Sequence, residues 1–166
     1  KRHFYEHGKV IETPECDYLL FLCGTSMENL LTEIDKIAAG TPQERIDKGD
    51  IDALGSRVLE ATVFELTDCL LEKQYSKGLL ILRHLFDMKQ EPVAILAAIT
   101  KQMQRLYGAK LALAKGKGES DIAQILGFKS AYPARRLIQS ARRCTMDFLR
   151  WAQEICLETD LALKSN

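Results

Sequence analysis

The longest helical signal in the chain runs from Pro92 to about Lys115, and it constrains everything around it. Proline suits a first helical position, because the amide it lacks would have no partner there. Ile95, Leu96, Ile99, Met103, Leu106 and Leu113 then recur at helical spacing as one apolar seam, and Gly116-Lys117-Gly118 breaks the run. A second face is small and then polar: Ala94, Ala97, Ala98, Lys101, Arg105. A helix of about six turns cannot cover such a seam by itself. Other helices must supply the rest of the core.

The remaining punctuation is helical as well. Thr13-Pro14 opens a helix that Gly24 stops. Thr25 with Glu28 reads as a capping box for a helix whose apolar positions are Leu30, Leu31, Ile34 and Ile37, with Gly40 at its end. Asp50 is placed to cap a short segment over 51–59. Val63, Leu66, Leu70 and Leu71 mark the next amphipathic run, and Leu79, Leu82, Leu85 and Phe86 follow Ser76 in another. Shorter helices are expected near 120–126 and 131–143. Thr145 caps a last one toward Lys164, burying Phe148, Leu149, Ala152, Ile155 and Cys156. Only Lys9–Glu12 hints at a strand. The expectation is an all-α protein, with its most natural boundary near residues 58–62.

At 166 residues the chain can bury a real core, as one domain or two small ones. No apolar run reaches the length of a membrane span. The formal net charge of zero conceals a segregation: residues 1–60 carry 7 Lys+Arg against 12 Asp+Glu, and residues 61–166 carry 16 against 11. The stretch 101–143 alone holds ten Lys+Arg with only Glu119 and Asp121. Such segregation concerns partners more than fold. Cys16, Cys23, Cys69, Cys144 and Cys156 make no CxxC and are odd in number, which suits small buried hydrophobes in a reducing compartment. No signal-peptide or transit-peptide composition opens the chain, and Lys rather than Met is first. A segment of a longer cytoplasmic protein is expected.

The chemistry of the sequence is sparse. Gly116–Ser120 follows a helix instead of a strand and lacks phosphate-loop spacing, so it reads as a helix–helix turn. His3 and His7, four apart, could share a helix face as metal ligands with Cys16 or Cys23, but exposed polar residues on a terminal helix are the expectation. His84, among Leu82, Leu85 and Phe86, reads as a partly buried structural histidine. No nucleophile–base pair is spelled out, and no catalytic, cofactor or metal site is assigned. Residues 120–138 begin like a helix-turn-helix, with Ile122, Ala123, Leu126, Gly127 and Phe128 in place. The second half fails, because the supporting apolar positions fall on Pro133 and Arg136. An alternative reading keeps 120–143 as a DNA-binding element. In it, Lys129, Arg135, Arg136, Arg142 and Arg143 would contact backbone phosphates without reading bases.

Four stretches, in order, carry a resemblance. Thr25–Ala39, with Glu33-Ile34-Asp35-Lys36-Ile37, is similar to a helix of the delta subunit of bacterial DNA polymerase III, the clamp-loader component that engages the sliding clamp. Ala61–Asp68, containing Phe64-Glu65-Leu66, resembles that family's next helix opening. Glu91–Ala97, followed by Lys101-Gln102 and Arg105, resembles its "E-P-I-x-I-L-x-x-I-x-R-Q-x-R" segment. Leu157–Ser165 resembles its "E-x-D-x-x-I-K-S-G" ending.

The resemblance implies an all-α chain in which residues 1–60 form the small helical lid of a clamp-loader AAA+ fold. Residues 61–166 would be the C-terminal helical collar, the oligomerisation domain. It implies a non-catalytic role, with the ATPase (tau/gamma) and delta-prime subunits as partners, while a DNA-backbone contact rests on the basic residues of 101–143 alone. The family's clamp-binding element lies in an N-terminal domain outside this sequence. The small face of the long helix (Ala94, Ala97, Ala98, Gln102, Arg105) would meet either a neighbouring collar domain or the last helix of this one.

Overall fold

The computed structural model describes residues 1–128 and 130–165. They are all-α, with ten helices and, in place of a strand at Lys9–Glu12, a single parallel bridge between Val10 and Arg45. Two compact units are present. The first comprises Lys1–Ala61 together with Ser130–Pro133, and the second Thr62–Lys129 with Ala134–Asn166.

The first unit contains α1 (Arg2–Glu6), α2 (Thr13–Cys23), α3 (Met27–Gly40) and α4 (Lys48–Leu54). Pro14 sits in the first turn of α2, and Gly24 ends it at φ +83°, a backbone region open to glycine. The capping of α3 differs from the sequence expectation. Its N-cap is Ser26, not Thr25, and no side chain bonds the free amides. The true capping box lies at α4, where Asp47 is the N-cap and Asp50 the third residue. Each side chain accepts from the other's backbone N–H, at 3.0 and 2.9 Å. Asp50 is therefore one turn inside the helix it was expected to open, and that helix ends at Leu54. Phe4, Leu22, Ile37, Ile46 and Ile51 are wholly enclosed and form the centre of this unit. Tyr18 stacks edge-on against Tyr132 at 4.9 Å, and the Tyr18 hydroxyl donates to Asp52. Burial, then that carboxylate, hold the phenol well above its ordinary pKa.

The second unit is built around α7 (Pro92–Ala114) packed along α10 (Met146–Lys164), with α8 (Glu119–Ile125) against α7. It also contains α6 (Tyr75–Asp87), whose Gly78 lies against Leu66 and Cys69. The unit division falls within α5 (Leu59–Leu71) and within α9 (Ala131–Arg143). Ile95, Met103, Leu106, Ala109 and Ala112 of α7 are buried, as are Leu149, Ala152 and Cys156 of α10. Thr145 caps α10 by accepting from the Phe148 amide at 3.1 Å. Phe148 is only half-buried and Ile155 exposed, because the buried stripe of α10 is narrower than its apolar content. On α6 the mismatch is larger: Leu85 is buried, while Leu79 and Phe86, expected in the core, face solvent. His84 is exposed too, not half-buried among them. All five cysteines are free, four of them buried.

Candidate functional site

Large apolar side chains left outside are the informative feature of the second unit, since scattered small ones are ordinary. On α10, Trp151 is 56% and Leu161 58% exposed, with Ile155 and Leu157 also outward. Trp151 and Ile155 are four residues apart, as are Leu157 and Leu161, so each pair shares a helix face. On α6 and the approach to α7, Leu79 and Leu80 are 67% and 66% exposed, and Phe86, Met88 and Val93 join them. Sequence reasoning missed both groups. The signal was there, in an apolar content of α6 and α10 larger than one buried stripe consumes.

The small face of α7 does not behave as one surface. Ala94 and Ala97 are exposed and Ala98 half-buried. Gln102, by contrast, is 5% exposed, and its Nε2 has no hydrogen-bond partner among the described residues. Arg105 is half-buried with its guanidinium over the Phe128 ring at 5.0 Å. A helix that packs along a partner for this length turns successive residues inward, and Gln102 falls on the packed side.

The basic residues of α9 are largely engaged within the second unit. Arg136 donates to Asp68 Oδ2, and the Ser140 hydroxyl donates to Asp68 Oδ1 at 2.7 Å. Arg143 pairs with Glu72 at 2.8 Å and Arg142 with Glu119 at 3.6 Å. The last two pairs are exposed and exchangeable, each worth less than about 1 kcal/mol. Arg135 is exposed and has no ion pair among the described residues. Lys129 lies outside the described residues. Ala134, Leu137, Ile138 and Ala141 form the buried, packing side of α9, and Arg136 is tied to α5.

In the first unit, a cavity of about 170 Å³ is lined by Cys23, Thr32, Glu33, Ser56 and Arg57 among others. Burial, helped by the Glu33 charge, pushes the Cys23 thiol up to about 11, so it is a poor nucleophile at neutral pH. His3 and His7 do come together, but with Asp35 of α3, not with Cys16 or Cys23. Among the described residues no helix is long and apolar enough to cross a membrane.

The fold places this protein among all-α chains of two helical units, the second a long helix pair with apolar side chains presented outward. Residues 60–166 match the DNA polymerase III delta subunit, C-terminal domain, and the chain belongs to that family. It is 28% identical over 119 residues to the DNA polymerase III subunit delta of Bacillus subtilis (strain 168), covering 71% of this chain and 34% of that one. To the probable DNA polymerase III subunit delta of Aquifex aeolicus (strain VF5) it is 27% identical over 133 residues, covering 79% and 38%. The chain thus spans little more than a third of the curated relatives it matches. The solved Bacillus subtilis DNA clamp loader delta protein (YqeN) superposes with a TM-score of 0.80 at 24% identity, over 99% of this chain and 49% of that one. At that identity the likeness speaks for the fold.

Proposed function

We propose that this chain is a non-catalytic part of a clamp-loader delta subunit, assembling with the ATPase (tau/gamma) and delta-prime subunits to help load the sliding clamp. Residues 1–60 act as the helical lid of the AAA+ fold, and residues 61–166 as the collar that holds neighbouring subunits. The observation that carries this reading is the outward apolar surface of α10 and α6 within the segment matching the family's C-terminal domain. Exposed Leu, Ile and Trp cost solubility in a lone chain and return free energy only when a partner covers them. Ala94 and Ala97, exposed on α7, are small enough to allow close approach of another helix. Phosphate binding by α9 is the weaker reading, because Arg136, Arg142 and Arg143 already have carboxylate partners.

The test is size-exclusion with light scattering on this chain, alone and mixed with the clamp-loader ATPase subunits of the same organism. Co-elution as a stable complex supports the collar role. A chain that remains monomeric beside those subunits, yet binds duplex DNA in a salt-dependent way, would replace it with the α9 reading.

A further inference from the structure

Phe4 anchors the five-residue helix α1 by burying its ring completely in the core of the first unit. That anchor turns His3, beside it in α1, and His7, at the C-cap of α1, toward one point on α3. Asp35 stands at that point. Its Oδ1 lies 2.7 Å from Nε2 of His3 and 2.9 Å from Nε2 of His7, and the two rings meet edge-on at 5.1 Å. Behind His3, Glu6 Oε2 is 2.9 Å from Nδ1. Ligand-capable atoms of all three residues lie within 4.8 Å of one another.

We propose that His3, His7 and Asp35 form a binding site for a borderline transition dication, with Zn²⁺ as its representative. Two imidazole nitrogens and one carboxylate oxygen suit zinc and its neighbours and are poor ligands for calcium or magnesium, which take oxygens. Zinc bonds of about 2.0–2.2 Å require tetrahedral ligand atoms roughly 3.3 Å apart. The Nε2 to Oδ1 separations need open by only about half an ångström, and Asp35 and His7 are exposed enough to turn. Glu6 completes the design. By accepting from Nδ1–H of His3 it fixes the tautomer that leaves the Nε2 lone pair for the metal, the usual second partner of a ligating histidine. Asp35 and Glu6 also supply two negative charges against the incoming two positive ones. A fourth position remains for solvent. Bound this way, the ion would staple α1 to α3.

Calorimetric titration of the 166-residue chain with Zn²⁺ at pH 7.5 tests the site, beside Asp35→Asn and His7→Ala, which lie on different segments. Expected are one ion per chain, at least a tenfold loss of affinity in each variant, and a melting temperature that zinc raises in the parent but not in the variants. Co²⁺ provides a second readout, since nitrogen and oxygen ligands give d–d bands without a thiolate charge-transfer band. Helicity measured by circular dichroism in each variant separates loss of the site from loss of the fold. Zinc affinity unchanged by both substitutions, a cobalt–thiolate band, or no heat at millimolar zinc would overturn the proposal.

Discussion

Glu33 has only a small part of its side chain in water, yet its carboxyl is held below the ordinary carboxylate range. Burial alone would push it the other way. The Lys36 ammonium at 2.7 Å and the Ser56 amide at 2.7 Å outweigh that cost. A carboxylate with a depressed folded pKa adds stability above its unfolded value and loses it as pH falls through the folded one. We therefore expect the chain to lose denaturant resistance below about pH 4.5, the ordinary glutamate value. Glu33→Gln should flatten that part of the profile, as read by urea titrations from pH 6 down to 3. Gln102 presents the opposite case. Its amide is buried with a donor that no described residue satisfies, where a polar group costs about 1–3 kcal/mol. Gln102→Met keeps the volume and removes the donor, so it should raise the melting temperature by a few degrees. A drop on calorimetry would show that the amide is satisfied in solution. Neither residue was legible in this sense from sequence. Glu33 needed Ser56, and Gln102 needed the direction in which α7 is packed.

Element ends were the most readable features, because proline, glycine and capping hydroxyls act locally. Pro14, Gly24, Pro92 and Thr145 sit where their chemistry placed them. Thr25 and Glu28 misled because the helix begins one residue later, with Ser26 as its N-cap and no side-chain cap bond, in the phase that brings both Ile34 and Ile37 into the core. Two helix ends carry a feature that spacing does not signal. Lys73 and Lys89, just beyond α5 and α6, adopt φ of +59° and +57°. The chain then closes back, Gln74 N–H to Cys69 O at 2.8 Å and Gln90 N–H to Leu85 O at 3.0 Å, in the manner of a left-handed helix stop. Glycine normally fills such a position, and a side chain there costs about 1 kcal/mol. Lys89→Gly is expected to stabilise the protein by several tenths to about 1 kcal/mol, with no change in helicity by circular dichroism. Destabilisation in thermal melts would mean that the lysine side chain contributes more than its backbone strain costs.

Across the whole molecule the sequence told helices from strands and pointed to a family, but left open which faces stay outside. The reason is physical: α6 and α10 carry more apolar residues than one packed stripe needs, and spacing cannot say which surplus goes inward. Leu157 and Leu161 show how the surplus is tested. Both are largely in water, so replacing them with lysine removes little buried area, and surface changes of this kind stay within about 0.5 kcal/mol. If partner subunits cover this face, the same lysines place two charges in a desolvated contact, where truncation alone at a central residue costs about 2 kcal/mol or more. The double variant Leu157→Lys, Leu161→Lys should therefore keep the parent melting temperature within about two degrees and weaken co-elution with the ATPase subunits at least thirtyfold. Arg135→Ala on α9 should leave that complex intact. An inverted pattern, with assembly indifferent to the leucines and lost with Arg135, would move the contact to the basic helix and leave the apolar face of α10 to another partner.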